Sequence, residues 1–298
     1  MVSSVAAVLV SHDGGRWLPS VIEGLHAQTT PVDLVVGVDT GSKDDSAERI
    51  ESAFGEVVRT SGATSFPAAV DLALARLTER GDTSEWIWIL HDDANPAPGA
   101  LRALLGAAAL DPRAEILGPK LREWPSLKRL LELGVTISGT GRRETGLERG
   151  EYDQGQHDDV REVLAVNTAG MLVRRSVLEA MGGFDARLPI FGNDIDFGWR
   201  ATAAGHRTIV VPDAVVFHAE AAHRGVRRTP RCAASTWKTT AAGTTIVLWP
   251  AAAARQPKSM SLPNTASCSS KPPSSSRTVR RTSMPAVLTA STSRTSSC

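Results

Sequence analysis

Short apolar runs closed by turn residues alternate along this chain with stretches whose apolar positions recur every three or four residues. Val5–Val10 is the first run, and Ser11-His12-Asp13-Gly14-Gly15 closes it, so a strand and a turn are predicted. Leu18, Val21, Ile22 and Leu25 then follow at helical spacing. A second strand is predicted over 33–39, ending on Asp39, with a turn and cap over 40–46 and a helix over 47–54. A weak third strand over 56–59 precedes a helix over 66–77 that carries Phe66, Val70, Leu74 and Leu77 on one side. Trp86-Ile-Trp-Ile-Leu90 reads as a buried strand, after which Asn95-Pro96-Ala97-Pro98 turns the backbone into a helix over 98–110. A strand over 116–118 completes this half.

Strands alternating with helices of this length imply right-handed crossovers, and hence a largely parallel sheet with helices on both faces. From Lys120 to His157 the pattern dissolves into Gly, Arg and Glu, as expected of an exposed excursion with a hairpin near Val135–Ser138. Regularity returns as strands over 163–166 and 170–174, a helix over 176–181 stopped by Gly182-Gly183, and a helix that Phe191–Arg200 leads into and that ends near Gly205. Two short strands follow, over 208–211 and 215–218.

Charge divides the chain more sharply than hydropathy does. Residues 1–230 hold 24 Lys and Arg against all 32 Asp and Glu, while residues 231–298 hold nine Lys and Arg and no acid. That last stretch is Ser, Thr, Pro and Ala without sustained period, and only 244–249 could form a strand there. A segment of this kind cannot bury enough apolar surface to offset its ordering entropy, so a domain over 1–230 and a disordered basic tail over 231–298 are expected. The tail has no aromatic interleaving to suit nucleic acid, and a tail without function is the plainer expectation. All three cysteines, Cys232, Cys268 and Cys298, lie in it, so no disulfide or thiol metal site is expected before it. No apolar run reaches the roughly 18–20 residues that span a bilayer. No basic segment precedes Val5, so no secretory leader is expected.

Candidate chemistry gathers where predicted strands end. Asp92 and Asp93 follow the run that ends at Leu90, and in open α/β sheets ligands bind in the crevice beyond the carboxyl ends of the strands. Carboxylates there suit a hard divalent cation, and they equally suit the N-terminus of the next helix. Asp39 ends another strand, Asp194 and Asp196 open a helix, and His218 ends a late strand. Singly, these read as a turn former, helix caps and a core histidine. The glycine fingerprint G-x-G-x-x-G and the P-loop are both absent, so neither cradle would hold a nucleotide.

Five of these stretches, in this order, resemble the family 2 glycosyltransferases of the GT-A fold. They are Val8–Gly15 with Trp17-Leu18, Val36–Ser42 with Asp44 and Ser46, Leu90–Asp93, Gly182–Asp185 and Gly192–Arg200. The resemblance covers about the first 230 residues and implies a Rossmann-like, mostly parallel sheet. It places a nucleotide on Ser11, His12 and Asp39, the last accepting a hydrogen bond from the base. The family's D-x-D element, which holds the ribose and, through a divalent ion, the diphosphate, reads His91-Asp92-Asp93 here, so the resemblance puts His91, in place of the first acid, among the nucleotide-binding residues. Asp93 is then the metal ligand and Asp92 the ribose or supporting partner. His218 is a further ligand that favours Mn²⁺ over Mg²⁺, imidazole being the softer donor. By analogy with the family's E-D pair, Asp194 is the base, while Asp196 orients the acceptor or Arg200. One base opposite the leaving group implies inversion at the sugar carbon.

The partners implied are a nucleotide-diphospho-sugar donor and a glycan or lipid-linked acceptor, with no nucleic acid. The implied setting is bacterial cell-envelope polysaccharide synthesis, in the cytoplasm at the inner face of the membrane, with peripheral association to it. The competing reading with the same fold is a nucleotide-sugar-binding protein without catalysis. A zinc deaminase is excluded because His218-Ala-Glu220 lacks its P-C-x-x-C partner. The H-E-x-x-H pattern is also absent, His218 and His223 being five apart. A nucleotidyltransferase would want a basic glycine-rich loop near the first strand, where only Arg16 stands.

Overall fold

The computed structural model describes residues 3–140, 142–188 and 191–221, and the expected tail over 231–298 lies outside them. Strand β1 (Val5–Ser11), helix α1 (Leu18–His26), β2 (Leu34–Asp39), α2 (Ser46–Phe54), β3 (Val57–Arg59), α3 (Phe66–Glu79) and β4 (Trp86–His91) run in the alternation the sequence predicted. Then come β5 (Ala94–Pro96), α4 (Ala100–Leu110), β6 (Ala114–Glu123), β7 (Leu130–Glu132), β8 (Thr136–Ile137), β9 (Arg143–Glu144) and β10 (Arg161–Glu162). The series closes with β11 (Leu172–Arg174), α5 (Arg175–Ala180), α6 (Asn193–Ala203) and β12 (Arg207–His218).

The main sheet has the order β10-β12-β6-β11-β4-β1-β2-β3, with β5 and β7 added at β12 and β6. β1 is parallel to both β2 and β4, so the chain winds outward through β2 and β3 and then returns through α3 to the other side of β1. That reversal opens a crevice at the carboxyl ends of β1 and β4, the place where open α/β sheets bind ligands. β11 runs antiparallel between β4 and β6, and β12 is parallel to β6.

Successive side chains of a strand face opposite sides, and the central strands use both. Ala6, Val8, Val10, Ile87 and Ile89 pack with Phe66, Val70 and Leu77 of α3 and Phe197 of α6. Val5, Ala7, Leu9, Trp86, Trp88 and Leu90 pack with Leu18 and Val21 of α1, Ile50 of α2 and Leu101 and Leu104 of α4. A strand buried on both faces has no polar alternation, which is why these runs read as continuously apolar.

Four expectations need correction. The turn expected over 95–98 begins as β5, paired antiparallel with the end of β12. The strands expected over 208–211 and 215–218 are one strand, β12, with a register shift between Val211 and Val215. Over 163–166 the chain is mostly buried but forms no strand: the β12 ladder is made by Arg161 and Glu162, and Ala165 pairs singly with Val135. The excursion expected from Lys120 starts and passes inside the sheet as the end of β6 and as β7, while most of 142–157 is exposed as expected. β6 continues to Glu123 with Lys120 only 2% exposed, its ammonium held by Asp153 at 3.1 Å and Asp158 at 2.6 Å. A paired charge can be buried, so polar composition alone misjudged where the excursion begins.

Candidate active site

Two adjacent aspartates beyond β4 point in different directions, and each organises one side of the crevice. Asp92, 1% exposed, accepts hydrogen bonds from Ser11 Oγ (2.9 Å) and the His12 amide (2.8 Å), which fastens the loop after β1. A Cβ on Gly14 would stand 2.2 Å from Asp92 Oδ2, so the loop comes this close only because that residue lacks a side chain. The same loop is tied to the one after β2. The Asp13 amide donates to Ser42 Oγ, the Gly14 amide to Ser46 Oγ, and His12 Nδ1 lies 2.9 Å from the Thr40 carbonyl. Asp39 accepts from the Gly41 and Ser42 amides and from the Ser42 hydroxyl, holding its own turn. Ser11, His12, Asp39 and Asp92 therefore form one hydrogen-bonded floor across the ends of β1, β2 and β4.

Asp93 faces the other way, toward the end of β12. Its Oδ1 lies 3.1 Å from His218 Nε2 and its Oδ2 accepts from the Ala221 amide at 2.9 Å. His91 joins them: one nitrogen of each histidine and one carboxylate oxygen all lie within 4.8 Å of one another. Donors bound side by side to one ion at ~2.1 Å stand ~3 Å apart, so small rotations would close this set around a cation. Two imidazoles and one carboxylate favour Mn²⁺ or another borderline metal over Mg²⁺. His91 Nε2 also lies 2.9 Å from Thr168 Oγ1, which fixes the ring's orientation as an outer partner does for a metal-binding histidine. Burial opposes the charge on His218, but Asp93, with help from Glu220 and Glu132, raises its pKa.

Gly192 caps helix α6, and its φ of +91° lets the chain turn sharply into Asn193. Gly198 faces the Leu164 carbonyl oxygen, 2.2 Å from where a Cβ would stand, so α6 packs tightly against that segment. Asp196 accepts from Arg200 Nε at 2.8 Å, and the same guanidinium donates to the Met181 and Gly183 carbonyls, anchoring α6 to the preceding turn. Asp194 is placed otherwise. Arg143 of β9 stands 4.0 Å from its Oδ2, while that guanidinium makes a 2.5 Å hydrogen bond to Glu132 of β7. Burial pushes the Asp194 carboxyl up, with Arg143 opposing. Glu132 is likewise pushed up by burial. Its charge is felt by both Arg143 and His218, so it links Asp194 to the Asp93–His218 pair.

Of the residues singled out in the sequence, Ser11, His12, Asp39 and Asp92 come together, as do His91, Asp93 and His218. Asp194 joins through Glu132 and Arg143, and Asp196 turns to Arg200. Sequence reasoning assigned His91 to the nucleotide, although its place in the H-D-D run was the available signal that it could also serve as a metal donor. Glu132, Arg143 and Thr168 were missed, the first two because they lie in the segment read as an excursion. An open cavity of about 530 Å³, lined by Glu123, Arg129, Leu131, Leu147, Arg149 and Glu220 among others, adjoins the site through Glu220, two residues beyond His218. Among the described residues, no helix is long and apolar enough to cross a membrane.

A family model described as glycosyltransferase-like family 2 matches residues 3–240. An N-acetylglucosaminyl-diphospho-decaprenol L-rhamnosyltransferase of Mycobacterium tuberculosis is 29% identical, over 76% of this chain and 79% of that protein. Galactofuranosyltransferase GlfT1 of the same species is 27% identical, over 73% of this chain and 71% of that one. Among solved structures, GalNAc-T7 with UDP, GalNAc and Mn²⁺ superposes with a TM-score of 0.56 at 13% identity, over 72% of this chain. The chain spans 44% of the length of that structure, and the likeness shows the GT-A fold that the sequence led us to expect.

Proposed function

The chain belongs to the family 2 glycosyltransferases, and from that premise we propose that it is an inverting, metal-dependent enzyme that moves a sugar from a nucleotide-diphospho-sugar to a hydroxyl acceptor. The observation that carries this reading is the cluster of His91, Asp93 and His218 at the sheet's switch point. The floor of Ser11, His12, Asp39 and Asp92 holds the nucleotide beside it. His91, Asp93 and His218 would hold the cation, which when bound stabilises the charge that grows on the departing diphosphate.

Asp194 takes the proton from the acceptor hydroxyl as that oxygen attacks the anomeric carbon. Its buried carboxyl, pushed above the usual range, is a stronger base than an exposed aspartate. Attack from the face opposite the leaving group inverts the configuration. Asp196 acts by holding Arg200 and the turn it grips. The cavity beside Glu220 receives the acceptor. The relatives' names support a rhamnosyl or galactofuranosyl residue as the sugar moved, and a lipid-linked diphospho-glycan as the acceptor. Such an acceptor puts the enzyme against a membrane surface, at the cytoplasmic face where nucleotide-sugars are supplied.

The test is release of nucleoside diphosphate from a panel of nucleotide-diphospho-sugars, with Mn²⁺ and a polyprenyl-diphosphate-linked N-acetylglucosamine as acceptor. Acceptor-dependent release that disappears on chelation supports the reading. Donor binding without release by the folded protein would replace it with that of a sugar-nucleotide-binding protein.

A further inference from the structure

Among the described residues, Glu132 is a buried carboxylate that the fold leaves unexplained. It is 5% exposed, sits on the short strand β7, and has no part in the chemistry above. Its Oε2 accepts from Arg143 at 2.5 Å and from Asn167 Nδ2 at 3.3 Å. Its Oε1 is buried without a hydrogen-bond partner among the described residues. Leaving such an oxygen buried is destabilising, so the fold alone gives no reason for a glutamate here. Arg143, on a hairpin outside the main sheet, is the cation between this glutamate and Asp194, bonded to the first and 4.0 Å from the second. Glu220 faces the same guanidinium from beyond β12, and Asp196, also on α6, is taken up by Arg200.

One guanidinium between two buried carboxylates has two extreme positions. Collapsed onto Asp194 it would pair with that carboxylate and remove its basicity. Withdrawn altogether it would leave two like charges that must share a proton. We propose that Glu132 and Arg143 are positioning residues for proton abstraction: Glu132 holds Arg143 at the rim of Asp194, near enough to keep that carboxylate ionised and too far to neutralise it. This rests on Asp194 being the base, and it adds a device by which that base is kept ready.

The two residues then act in opposite directions on the acid limb of the kcat–pH profile. E132Q frees Arg143 to pair with Asp194, so the limb moves down by about 1 pH unit and the plateau of kcat falls. R143M leaves the carboxylates facing each other, so the limb moves up by about 1 pH unit. Donor KM is unchanged in both, because neither residue touches the nucleotide floor. A merely structural role would lower activity at every pH without moving the limb. Limbs that coincide with the wild type, or that move in the same direction, overturn the proposal. D194N separates the layers. If it keeps full turnover, the base itself is misassigned; if it is inactive while both limbs stay put, only the positioning role fails. Arg143 is half exposed, so R143M carries the test alone should E132Q fail to fold.

Discussion

Truncating His218 to alanine removes one of three donors from the proposed cation site, and the loss can be read without any substrate. For the wild type, Mn²⁺ at 100 times its Kd stabilises the folded state by about 2.7 kcal/mol. A domain of this size shifts its Tm by roughly 2–4 °C per kcal/mol, so the metal should raise Tm by roughly 5–11 °C. A partner that only orients a metal ligand is worth about 10–100-fold in affinity, and a donor at least as much. With Kd weakened ~100-fold, the same Mn²⁺ concentration gives only about 0.4 kcal/mol, a shift near 1 °C. The apo variant also melts lower, because His218 is buried and faces Asp93 Oδ1 at 3.1 Å. The quantity to compare is therefore the difference with and without metal for each protein, by differential scanning fluorimetry. The wild type should respond more to Mn²⁺ than to Mg²⁺, since two of its three donors are imidazoles. An undiminished Mn²⁺ shift in H218A, or no shift in the wild type, would refute the proposed donor set.

D194N should lower turnover by about 10²–10⁴-fold while donor binding, followed by calorimetry, persists. Because burial raises the Asp194 pKa, the wild-type acid limb should lie above the ordinary aspartate value of about 3.9. Ionising a carboxyl with a raised folded pKa costs stability as pH rises through that pKa. D194N should therefore melt higher than the wild type at pH 8 and lose the advantage below about pH 3.9, which thermal melts across pH would show. G14A forces a methyl group to within 2.2 Å of buried Asp92 Oδ2 unless the loop moves, so donor KM should rise and Tm should fall together. K120M removes one of the two cations that hold buried Asp153, Arg122 being the other, and should cost about 1.5–3 kcal/mol in urea unfolding.

Much of this protein follows from local patterns. β1, β2 and β4 are apolar runs with turn residues behind them, and α1, α2 and α3 carry their apolar stripes at helical spacing. Consecutive β-α-β units of that kind have essentially one way to wind, so the parallel core and its crevice could be read before any coordinates. The carboxylates stood out for the same reason: acids just past a buried run fall where the crevice of an open sheet binds its ligands.

What the chain could not disclose locally is which groups meet across distance. Nothing near Asp92 or Asp93 says that one reaches back to Ser11 and the other across to His218, 125 positions later. That choice is made by β1 and β12 lying on opposite sides of β4 in the sheet. Glu132 and Arg143 were hidden more deeply, because a charged residue reads as surface wherever its partner is remote in sequence. Sequence thus determined the strands, the helices and the crevice, through side-chain period and strand handedness. Only tertiary packing decided that a glutamate from an unpatterned segment would be desolvated near Asp194 with an arginine set between them, since burial of a charge depends on the partner that three-dimensional closure brings to it.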